Sequence, residues 1–376
     1  MSQVGKIRFG LVGGGEGAFI GPIHRMAAEL DGQAELVCGA FSADPERARR
    51  SGVEQYQLPA DRCYASYQAM LAGEQERPAD KRMQFVIIAT PNHLHFPMAQ
   101  AALASGFAVV CDKPLCLSVQ QAEELRDLQQ RQHVPFAVTY NYSGYPMVRA
   151  ARQLVAVGTL GSIRRVQCSY LQGWLAQAQP DNKQAQWRTD PQTAGGAGCF
   201  GDIGSHAEQL LSFVTGLSIT RLCADLNTFV PDRALDDDGT VMLQFAGGAK
   251  GVLTASQIAV GCENDLSLAV YGERGSLEWR QAEANSLLVH ELDQPLRVHR
   301  AGGPGSTAAV APTRLPAGHP EGYIEALATL YQEFISELQG LGPGDYPGLE
   351  DGVRGMQFIE KVVESSTRGA QWVDVA

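Results

Sequence analysis

The first 140 residues alternate short apolar segments with amphipathic helical patterns, and this alternation limits the fold more than any other feature of the sequence. Short apolar segments are typical of strands buried in parallel sheets, which need a helical crossover between successive strands. The predicted strands are 7–13, 34–41, 83–90, 107–112 and 135–140, and the predicted helices lie near 22–30, 93–105 and 118–132. A further helix starts at Asp44-Pro45-Glu46, where a proline and an acid suit the first turn. The pattern predicts an α/β fold with a doubly wound parallel sheet.

The pattern changes beyond Met147. A helical segment, 148–157, ends at Gly158, and closely spaced strand-like segments follow it: 162–172, 221–230, 240–247, 249–258, 266–272 and 275–281. Turn residues separate these segments, which favours an antiparallel or mixed sheet. Residues 300–317 predict a loop, and 320–338 predict a last long helix before a shorter one that ends near Ser366. We therefore place a dinucleotide-binding Rossmann domain at 1–145 and a second α/β domain at 146–376.

Composition excludes several classes of protein. The 376 residues carry a formal net charge of -11, whereas nucleic-acid binders need a basic surface. No apolar segment approaches the roughly 20 residues of a membrane span, and the first residues lack the apolar core of a secretion signal. The eight cysteines form no CxxC pair, which indicates free thiols in a reducing cytoplasm. We expect a cytoplasmic protein with no nucleic-acid and no membrane partner.

A glycine-rich turn follows the first predicted strand and contains Gly13, Gly15 and Gly21. At the first strand–helix junction of a Rossmann domain, glycines let the backbone approach a pyrophosphate that faces a helix N-terminus. The usual G-x-G-x-x-G spacing is met only if three residues are inserted before Gly21. Glycine-rich turns also follow strands in proteins without a nucleotide, but the position of this turn favours a dinucleotide.

The end of the second predicted strand bears on the choice of cofactor. An acid at this position binds the adenosine ribose of NAD, whereas a small polar residue with a nearby arginine accommodates the phosphate of NADP. Here Ser42 stands at the position of the acid, and Arg47 follows one helical turn later. Asp44 and Arg47 are also explained as the start of a solvated helix. We predict NAD(P) as the cofactor, with NADP favoured.

Lys113 lies just after the predicted strand 107–112, in Cys111-Asp112-Lys113-Pro114. The carboxyl ends of parallel strands form the edge at which open α/β sheets bind their ligands. A Lys-Pro pair after a strand is also common in plain turns. We treat Lys113 as a catalytic candidate, because an ammonium group can stabilise a developing alkoxide.

Asp202 and His206 are four residues apart after a glycine-rich segment, so a helix would place both on one face. An alternative interpretation makes Asp202 an N-cap and His206 a packed helical residue. Removal of a hydride from an alcohol carbon also requires removal of the hydroxyl proton, and histidine suits that task near neutral pH. A two-domain enzyme would bring such segments to its cleft. We therefore predict Lys113, Asp202 and His206 as catalytic residues.

Further candidates lie at the end of the strand 83–90. Thr90, Asn92 and His95 are placed to line the nicotinamide side of the cofactor. The spacing of His93 and His95 resembles that of a metal-binding pair, but the sequence places no third ligand near them. We predict no metal site.

Four residues of the second domain are candidate substrate contacts. Tyr142 belongs to an aromatic cluster and Trp187 precedes Arg188, so these side chains could form the wall of a sugar site, although aromatic residues are as often core. His319 lies just before the last long helix and is a candidate of the same kind.

In this combination the sequence resembles the glucose–fructose oxidoreductase, inositol dehydrogenase and rhizopine-catabolism family (Gfo/Idh/MocA). The resemblance covers nearly the whole chain, and each motif is weak by itself. The motifs that carry it, in chain order, are Gly21-Pro22-Ile23-His24, Ala89-Thr90-Pro91-Asn92-His93-Leu94-His95, Asp112-Lys113-Pro114, Val157-Gly158-Thr159-Leu160-Gly161 and Gly201-Asp202-Ile203-Gly204-Ser205-His206.

The resemblance implies a Rossmann domain and a second domain whose large open sheet forms oligomer contacts, and we expect a homodimer or homotetramer. It also implies that Lys113 is the lysine of a Glu-Lys-Pro motif, with Asp112 in place of the Glu. His206 would then be the acid/base, paired with Asp202. Substrates of the family are typically sugars, cyclic polyols such as inositols, and their derivatives.

The sequence therefore predicts an NAD(P)-dependent oxidoreductase that oxidises or reduces a ring hydroxyl of a sugar or an inositol-like cyclic polyol. Two alternatives remain. One is a nicotinamide-dependent glycoside hydrolase of the same fold, and the other is a regulator that binds NAD(P) without catalysis. The joint presence of Lys113, Asp202 and His206 argues against the regulator, which would be expected to have lost the lysine.

Overall fold

A five-stranded parallel sheet forms the N-terminal half of the computed structural model, which describes residues 5–304 and 312–375. The strand order is β2-β1-β3-β4-β5, and every neighbouring pair is parallel. The strands are β1 (Ile7–Gly13), β2 (Ala34–Ala40), β3 (Phe85–Ala89), β4 (Ala108–Cys111) and β5 (Phe136–Val138). The continuous apolar segments of the sequence are therefore strands buried on both faces, as all-parallel sheets require.

Helices connect these strands, and their starts follow local sequence signals. Asp44 caps α2 and Ser118 caps α5, each by accepting a hydrogen bond from a backbone N–H of the first turn. The helices of this region are α1 (Ile20–Glu29), α2 (Pro45–Arg50), α3 (Tyr67–Glu76), α4 (His95–Ala104) and α5 (Val119–Gln132). The sequence pattern did not predict α3.

The chain divides into two compact units, and the division is not a single cut. The first unit comprises 1–141 and 327–353, and the second comprises 142–326 and 354–376. The sequence-based boundary at 145/146 assigned every later residue to the second domain. Segment 327–353 belongs to the first unit because its aromatic residues pack on the Rossmann core: the rings of Phe334 and Phe85 lie 5.3 Å apart.

Within the described residues, the second unit contains a nine-stranded mixed sheet in the order β13-β12-β11-β10-β6-β9-β8-β7-β14. The pair β6–β9 is parallel and the other pairs are antiparallel. The strands are β6 (Ile163–Leu171), β7 (Ile219–Asn227), β8 (Asp238–Phe245), β9 (Lys250–Ser256), β10 (Asp265–Gly272), β11 (Gly275–Arg280), β12 (Ser286–Glu291), β13 (Arg297–Arg300) and β14 (Val373–Asp374). The mixed sheet confirms the fold class that the alternating segments predicted.

Four α-helices lie wholly in the second unit: α6 (Pro146–Ala156), α7 (Lys183–Thr189), α8 (Pro191–Ala194) and α9 (Ser205–Thr215). Two more described α-helices have residues in both units: α10 (Tyr323–Leu338) and α11 (Leu349–Thr367). The helix α9 covers the buried face of β6. Val166, Cys168 and Tyr170 alternate on that face, and the Cys168 Sγ donates to the carbonyl oxygen of Ala207. This packing places Tyr170 beneath the start of α9.

Several outcomes differ from the sequence pattern. The strands β12 and β13 were not predicted, and α11 is longer than α10 rather than shorter. The predicted loop 300–317 falls partly on 305–311, which lie outside the described residues. In the part of the chain that the structure describes, no helix has the length and apolar character needed to cross a membrane.

Candidate functional site

The glycine-rich turn after β1 is built on close backbone contacts. Gly13 has a φ of +88°, a region that strongly favours glycine. A Cβ at Gly15 would lie 2.4 Å from the carbonyl oxygen of Phe41, and a Cβ at Gly21 would lie 2.3 Å from the Cα of Gly14. The contact at Gly21 brings α1 close to the turn directly after β1, as expected of the third glycine in a dinucleotide motif. The inserted residues before Gly21 therefore leave its packing role intact.

The turn also has an open side that fits a phosphate group. Gly17 has a φ of +78°, and a Cβ built there meets no described atom within 4 Å. At the start of α1, Phe19 occupies the N-cap position, and no side chain of a described residue caps the helix. The first N–H groups of an α-helix have no intrahelical partner and bind anions readily. The turn and this helix start together fit the pyrophosphate of a dinucleotide.

Replacement of Gly21 by alanine tests the packing of this turn. We expect the free energy of unfolding to fall by about 1–3 kcal/mol, the usual cost of overpacking, because the methyl group would meet backbone rather than a flexible side chain. Alanine normally stabilises a helix by about 1 kcal/mol relative to glycine. A loss of stability in Gly21→Ala would therefore be due to the contact between the new methyl group and Gly14. Denaturant unfolding measures it. Gly5→Ala is the matched control, since a Cβ at Gly5 meets no described atom within 4 Å, and equal stabilities of the two variants would contradict the account.

Polar side chains at the end of β2 are engaged with the start of α2. The Oγ of Ser42 accepts from the backbone N–H of Asp44 at 3.1 Å, and the Asp44 carboxylate accepts from the backbone N–H of Arg47 at 2.8 Å. Asp44 is thus the N-cap of α2, as one interpretation of the sequence held. The side chain of Arg47 is exposed.

Lys113 follows β4 at the carboxyl edge of the parallel sheet, and the peptide bond to Pro114 is cis. Its backbone N–H donates to Oδ1 of Asp112 at 3.1 Å, and the hydroxyl of Thr139 donates to the same oxygen at 2.7 Å. Nε2 of His24 lies 3.9 Å from Oδ2. Burial raises the pKa of Asp112, but His24, His95 and Thr139 together lower it by a larger amount. The pKa of Asp112 therefore lies below its ordinary range.

The predicted residues at the end of β3 have different surroundings. Asn92 is buried, and the Thr90 hydroxyl lies 3.8 Å from Sδ of Met98. His95 was predicted to line the nicotinamide, but its ring is fully buried and both ring nitrogens contact backbone carbonyl oxygens. Its ring nitrogens are therefore used within the protein.

In the second unit, Asp202 lies in a π-helical turn, Phe200–Gly204, immediately before α9. Its Oδ2 accepts from Nε2 of Gln257 at 2.9 Å and from Nε of Arg188 at 3.3 Å. These contacts to a charged guanidinium and a buried amide hold the carboxylate in place. Asp202 does not cap α9, so the N-cap interpretation of the sequence does not hold.

Asp236 anchors the glycine-rich segment that leads to Asp202. Its carboxylate accepts from the backbone N–H groups of Gly198 and Phe200 at 2.6 and 2.8 Å. Burial raises the pKa of Asp236, and the two N–H groups oppose that shift. The next residue in the chain, Asp237, accepts from Arg233 and through its carbonyl oxygen fixes Gln257. One acidic loop therefore positions Asp202 and one of its partners.

His206 packs against tyrosine rings. Its ring centroid lies 5.0 Å from that of Tyr142 in an edge-on arrangement and 6.2 Å from that of Tyr170. Tyr323 contacts Tyr142 in the same manner, with centroids 6.3 Å apart. Burial raises the pKa of both Tyr142 and Tyr170, so the two phenols stay protonated near neutral pH.

A chain of hydrogen bonds leads from these tyrosines to Trp174. The hydroxyls of Tyr142 and Tyr170 lie 2.5 Å apart, and both contact the side-chain amide of Asn264. Gln172 donates to Asn264 at 2.7 Å and accepts from the indole of Trp174 at 2.9 Å. The result is a row of neutral donors and acceptors.

The guanidinium of Arg188 lies over two indole rings, 4.1 Å from the centroid of Trp187 and 5.9 Å from that of Trp174. Its ion pair with Asp202 connects the pair of tryptophans to the start of α9. Of the four substrate candidates, Tyr142, Trp187 and Arg188 therefore belong to this group. His319 is exposed, and its Nδ1 makes a local contact, 3.1 Å from the carbonyl oxygen of Pro316.

The structure thus groups the candidates within each unit. The first unit holds the glycines, Ser42, Arg47, Lys113 and the residues after β3. The second unit holds Asp202, His206 and their neighbours. Sequence reasoning missed several residues of the second group because they come from separate segments of the chain without a local motif: Tyr170, Gln172, Trp174, Gln257, Asn264 and Tyr323.

Comparison with known proteins gives consistent matches. A model of the oxidoreductase family with an NAD-binding Rossmann fold matches residues 7–140, and a model of the GFO/IDH/MocA C-terminal domain matches residues 148–278. The chain is 32% identical over 382 residues to the uncharacterised oxidoreductase YfiI of Bacillus subtilis, covering 98% of this chain and 96% of that protein. It is 27% identical to levoglucosan dehydrogenase of Pseudarthrobacter phenanthrenivorans, with coverage of 79% and 81%. A solved structure of an inositol dehydrogenase homologue from Azotobacter vinelandii, complexed with NADH and myo-inositol, is similar at 35% identity, with a TM-score of 0.91 and coverage of 99% and 98%.

Proposed function

Because this chain belongs to the Gfo/Idh/MocA family of NAD(P)-dependent oxidoreductases, we propose that it oxidises and reduces a ring hydroxyl of a sugar or an inositol-like cyclic polyol. The related levoglucosan dehydrogenase and the inositol dehydrogenase homologue support this substrate class. The bound nicotinamide would supply the hydride acceptor of the oxidation. The chemistry left to the protein is removal of the hydroxyl proton and stabilisation of the charge that develops on the oxygen.

Three residues carry these tasks in the proposal. His206 accepts the hydroxyl proton, since histidine can hold a proton near neutral pH. Lys113 polarises the same oxygen with its ammonium group. Asp202 orients the reacting groups, and its own position is fixed by Gln257 and Arg188.

One observation carries the substrate class: His206 and Asp202 are surrounded by paired charges and neutral hydrogen-bonding groups. The charge of Asp202 is matched by that of Arg188 at 3.3 Å. The neighbouring groups are two phenols and the side-chain amides of Asn264 and Gln257. Such groups suit hydroxyls, which both donate and accept hydrogen bonds. An uncharged polyol therefore fits the second unit better than an acidic sugar.

A screen of substrates tests this proposal. Inositols, hexoses and sugar acids are incubated with the protein and either NAD or NADP, and cofactor reduction is followed by absorbance. We expect reduction with at least one uncharged cyclitol or hexose, and weaker reduction with the sugar acids. Release of sugar from an aryl glycoside without net cofactor reduction would instead support the hydrolase alternative and contradict the proposal.

The proposal extends to the cofactor, with NADP preferred over NAD. Ser42 and Arg47 at the start of α2 support it, because neither residue repels the additional phosphate of NADP. The Asp44 carboxylate, the nearest acid in sequence, is already bound to the backbone of Arg47. The A. vinelandii neighbour is described with NADH, so NAD is the alternative that the same assay examines.

Replacement of Ser42 by aspartate should reverse this preference. A carboxylate there would repel the phosphate of NADP and offer an acceptor to the ribose of NAD, and we expect the ratio of kcat/KM for NADP over NAD to fall at least about tenfold, a difference of about 1.4 kcal/mol. Initial rates with each cofactor measure the ratio. Ser42→Thr keeps the hydroxyl and serves as the control. An unchanged ratio in Ser42→Asp, or a wild-type ratio that already favours NAD, would contradict the NADP assignment.

A further inference from the structure

His95 is the first residue of α4, and each of its ring nitrogens contacts a backbone carbonyl oxygen. Nδ1 lies 2.8 Å from the oxygen of Pro114, and Nε2 lies 2.8 Å from the oxygen of Thr90. The residue is fully buried. A peptide carbonyl accepts hydrogen bonds and cannot donate them. Both nitrogens of His95 must therefore carry a hydrogen for both contacts to be hydrogen bonds.

The protonation state of the ring follows from this count of donors. A neutral imidazole has one N–H group and one lone pair, whereas an imidazolium has two N–H groups. A neutral His95 would hold a lone pair against a carbonyl oxygen at 2.8 Å and leave that buried acceptor without a hydrogen. The imidazolium satisfies both carbonyl oxygens.

Asp112 provides a negative charge for this buried cation. Burial lowers the pKa of His95 below its ordinary value, and the charge of Lys113 acts in the same direction, whereas Asp112 and the two carbonyl oxygens oppose this shift. The pKa of Asp112 itself lies below its ordinary range, so the carboxylate is ionised at neutral pH. A buried charge is tolerated when it is both paired and hydrogen-bonded. Both ring nitrogens of His95 are hydrogen-bonded in the imidazolium, and the charge of Asp112 opposes the effect of burial, so the two contacts at 2.8 Å favour the charged ring.

The two contacts join neighbouring strand ends. Thr90 follows β3 and Pro114 follows β4, and these strands pair in the parallel sheet. The contact at Pro114 holds the peptide unit between Pro114 and Leu115, one residue beyond Lys113. On the other side, the backbone N–H of Lys113 donates to Asp112. The segment that contains Lys113 is thus held by Asp112 on one side and by His95 on the other, and His24 is a further titratable group at Asp112, with Nε2 3.9 Å from Oδ2.

We propose that His95 is a positioning residue that acts as a permanent imidazolium, with Asp112 as its counter-ion, and that this pair fixes the backbone of Lys113 at the end of β4. The proposal rests on the catalytic role assigned to Lys113. The charge of His95 is nevertheless a property of the protein without substrate or cofactor, so it can be tested separately.

Nuclear magnetic resonance of the full chain, labelled with ¹⁵N histidine and free of ligands, tests the charge directly. The chain has eight histidines, and loss of signals in His95→Gln identifies those of His95. At about pH 8, well above the ordinary histidine pKa of about 6.5, we expect both nitrogens of His95 to resonate as protonated nitrogens. A signal of an unprotonated nitrogen from His95 at this pH would overturn the proposal.

Two variants of Asp112 test the counter-ion by the same measurement. Asp112→Asn removes the charge, so we expect His95 to lose a proton at a lower pH than in the wild type. Asp112→Glu keeps the charge and should leave both nitrogens protonated. An unchanged titration of His95 in Asp112→Asn would overturn the role given to Asp112.

Kinetics test the positioning role. A small displacement of a catalytic group can cost about 10²-fold in rate, so His95→Gln should lower kcat by about that factor while KM for the polyol changes little. His133→Asn is the control, because His133 is exposed and has a φ of 53°, which asparagine tolerates. A folded His95→Gln protein with wild-type kcat would overturn the positioning role. Full activity of Lys113→Met would contradict the proposed function. The nuclear magnetic resonance measurement would still determine the charge of His95.

Discussion

Replacement of Lys113 by methionine is expected to lower kcat about 10²–10³-fold, the usual cost of losing one group that stabilises a developing oxyanion. Methionine keeps the length of the apolar part of the side chain and removes the ammonium group. The backbone of Lys113 is held through Asp112, so its placement does not depend on that charge. Steady-state rates with the polyol and cofactor found in the substrate screen measure the effect.

Lys6→Met is the matched control for this variant. Lys6 is exposed and directly precedes β1, at the amino end of the parallel sheet and thus at the edge opposite to Lys113. The same chemical change should leave kcat unchanged there. Wild-type turnover by Lys113→Met, with the cofactor still bound, would show that the lysine does not polarise the reacting oxygen.

Replacement of His206 by asparagine should lower kcat about 10²–10⁴-fold, the range expected for a lost general base. The adjacent phenols of Tyr142 and Tyr170 cannot take over the proton near neutral pH, because burial raises the pKa of both and keeps them protonated. The remaining oxidation should therefore become faster as pH rises, since hydroxide would have to remove the proton. Rates of oxidation across a range of pH test both expectations.

His290→Asn provides the comparison for this experiment, since His290 is an exposed residue of β12 in the same unit. It should retain the rate and the pH profile of the wild type. The role of His206 as base would be contradicted if His206→Asn oxidised the polyol at the wild-type rate, or if its residual rate did not depend on pH.

The Rossmann unit was the more predictable part of the fold, because each of its strands is a largely apolar segment. The predicted first strand matches β1 at both ends, Ile7–Gly13. The inclusion of segment 327–353 in this unit was not predictable, since it depends on distant contacts such as that between His24 and Tyr331, whose Nδ1 and hydroxyl oxygen lie 2.7 Å apart. Local periodicity carries no information about such contacts.

The candidate site was predictable only where a residue stood in a motif. The D-x-x-x-H spacing was enough to single out Asp202 and His206 as a pair. Gln257 and Asn264 were missed because they lie in the connection after β9, far from Asp202 and Tyr142 in sequence, and are brought to them by the order and register of the strands. For His95 the motif gave the residue but not its role, which depends on the two carbonyl oxygens that its ring contacts.

The most direct measurement of the central claim is the fate of a deuterium atom placed on the ring carbon that bears the reacting hydroxyl. The polyol identified in the screen, labelled at that carbon, is converted in a single turnover, and the cofactor is analysed by mass spectrometry. We expect the wild type to form reduced nicotinamide that carries the deuterium. Lys113→Met and His206→Asn should form this product much more slowly. Appearance of the deuterium in water, or conversion of the polyol without labelled reduced cofactor, would contradict it.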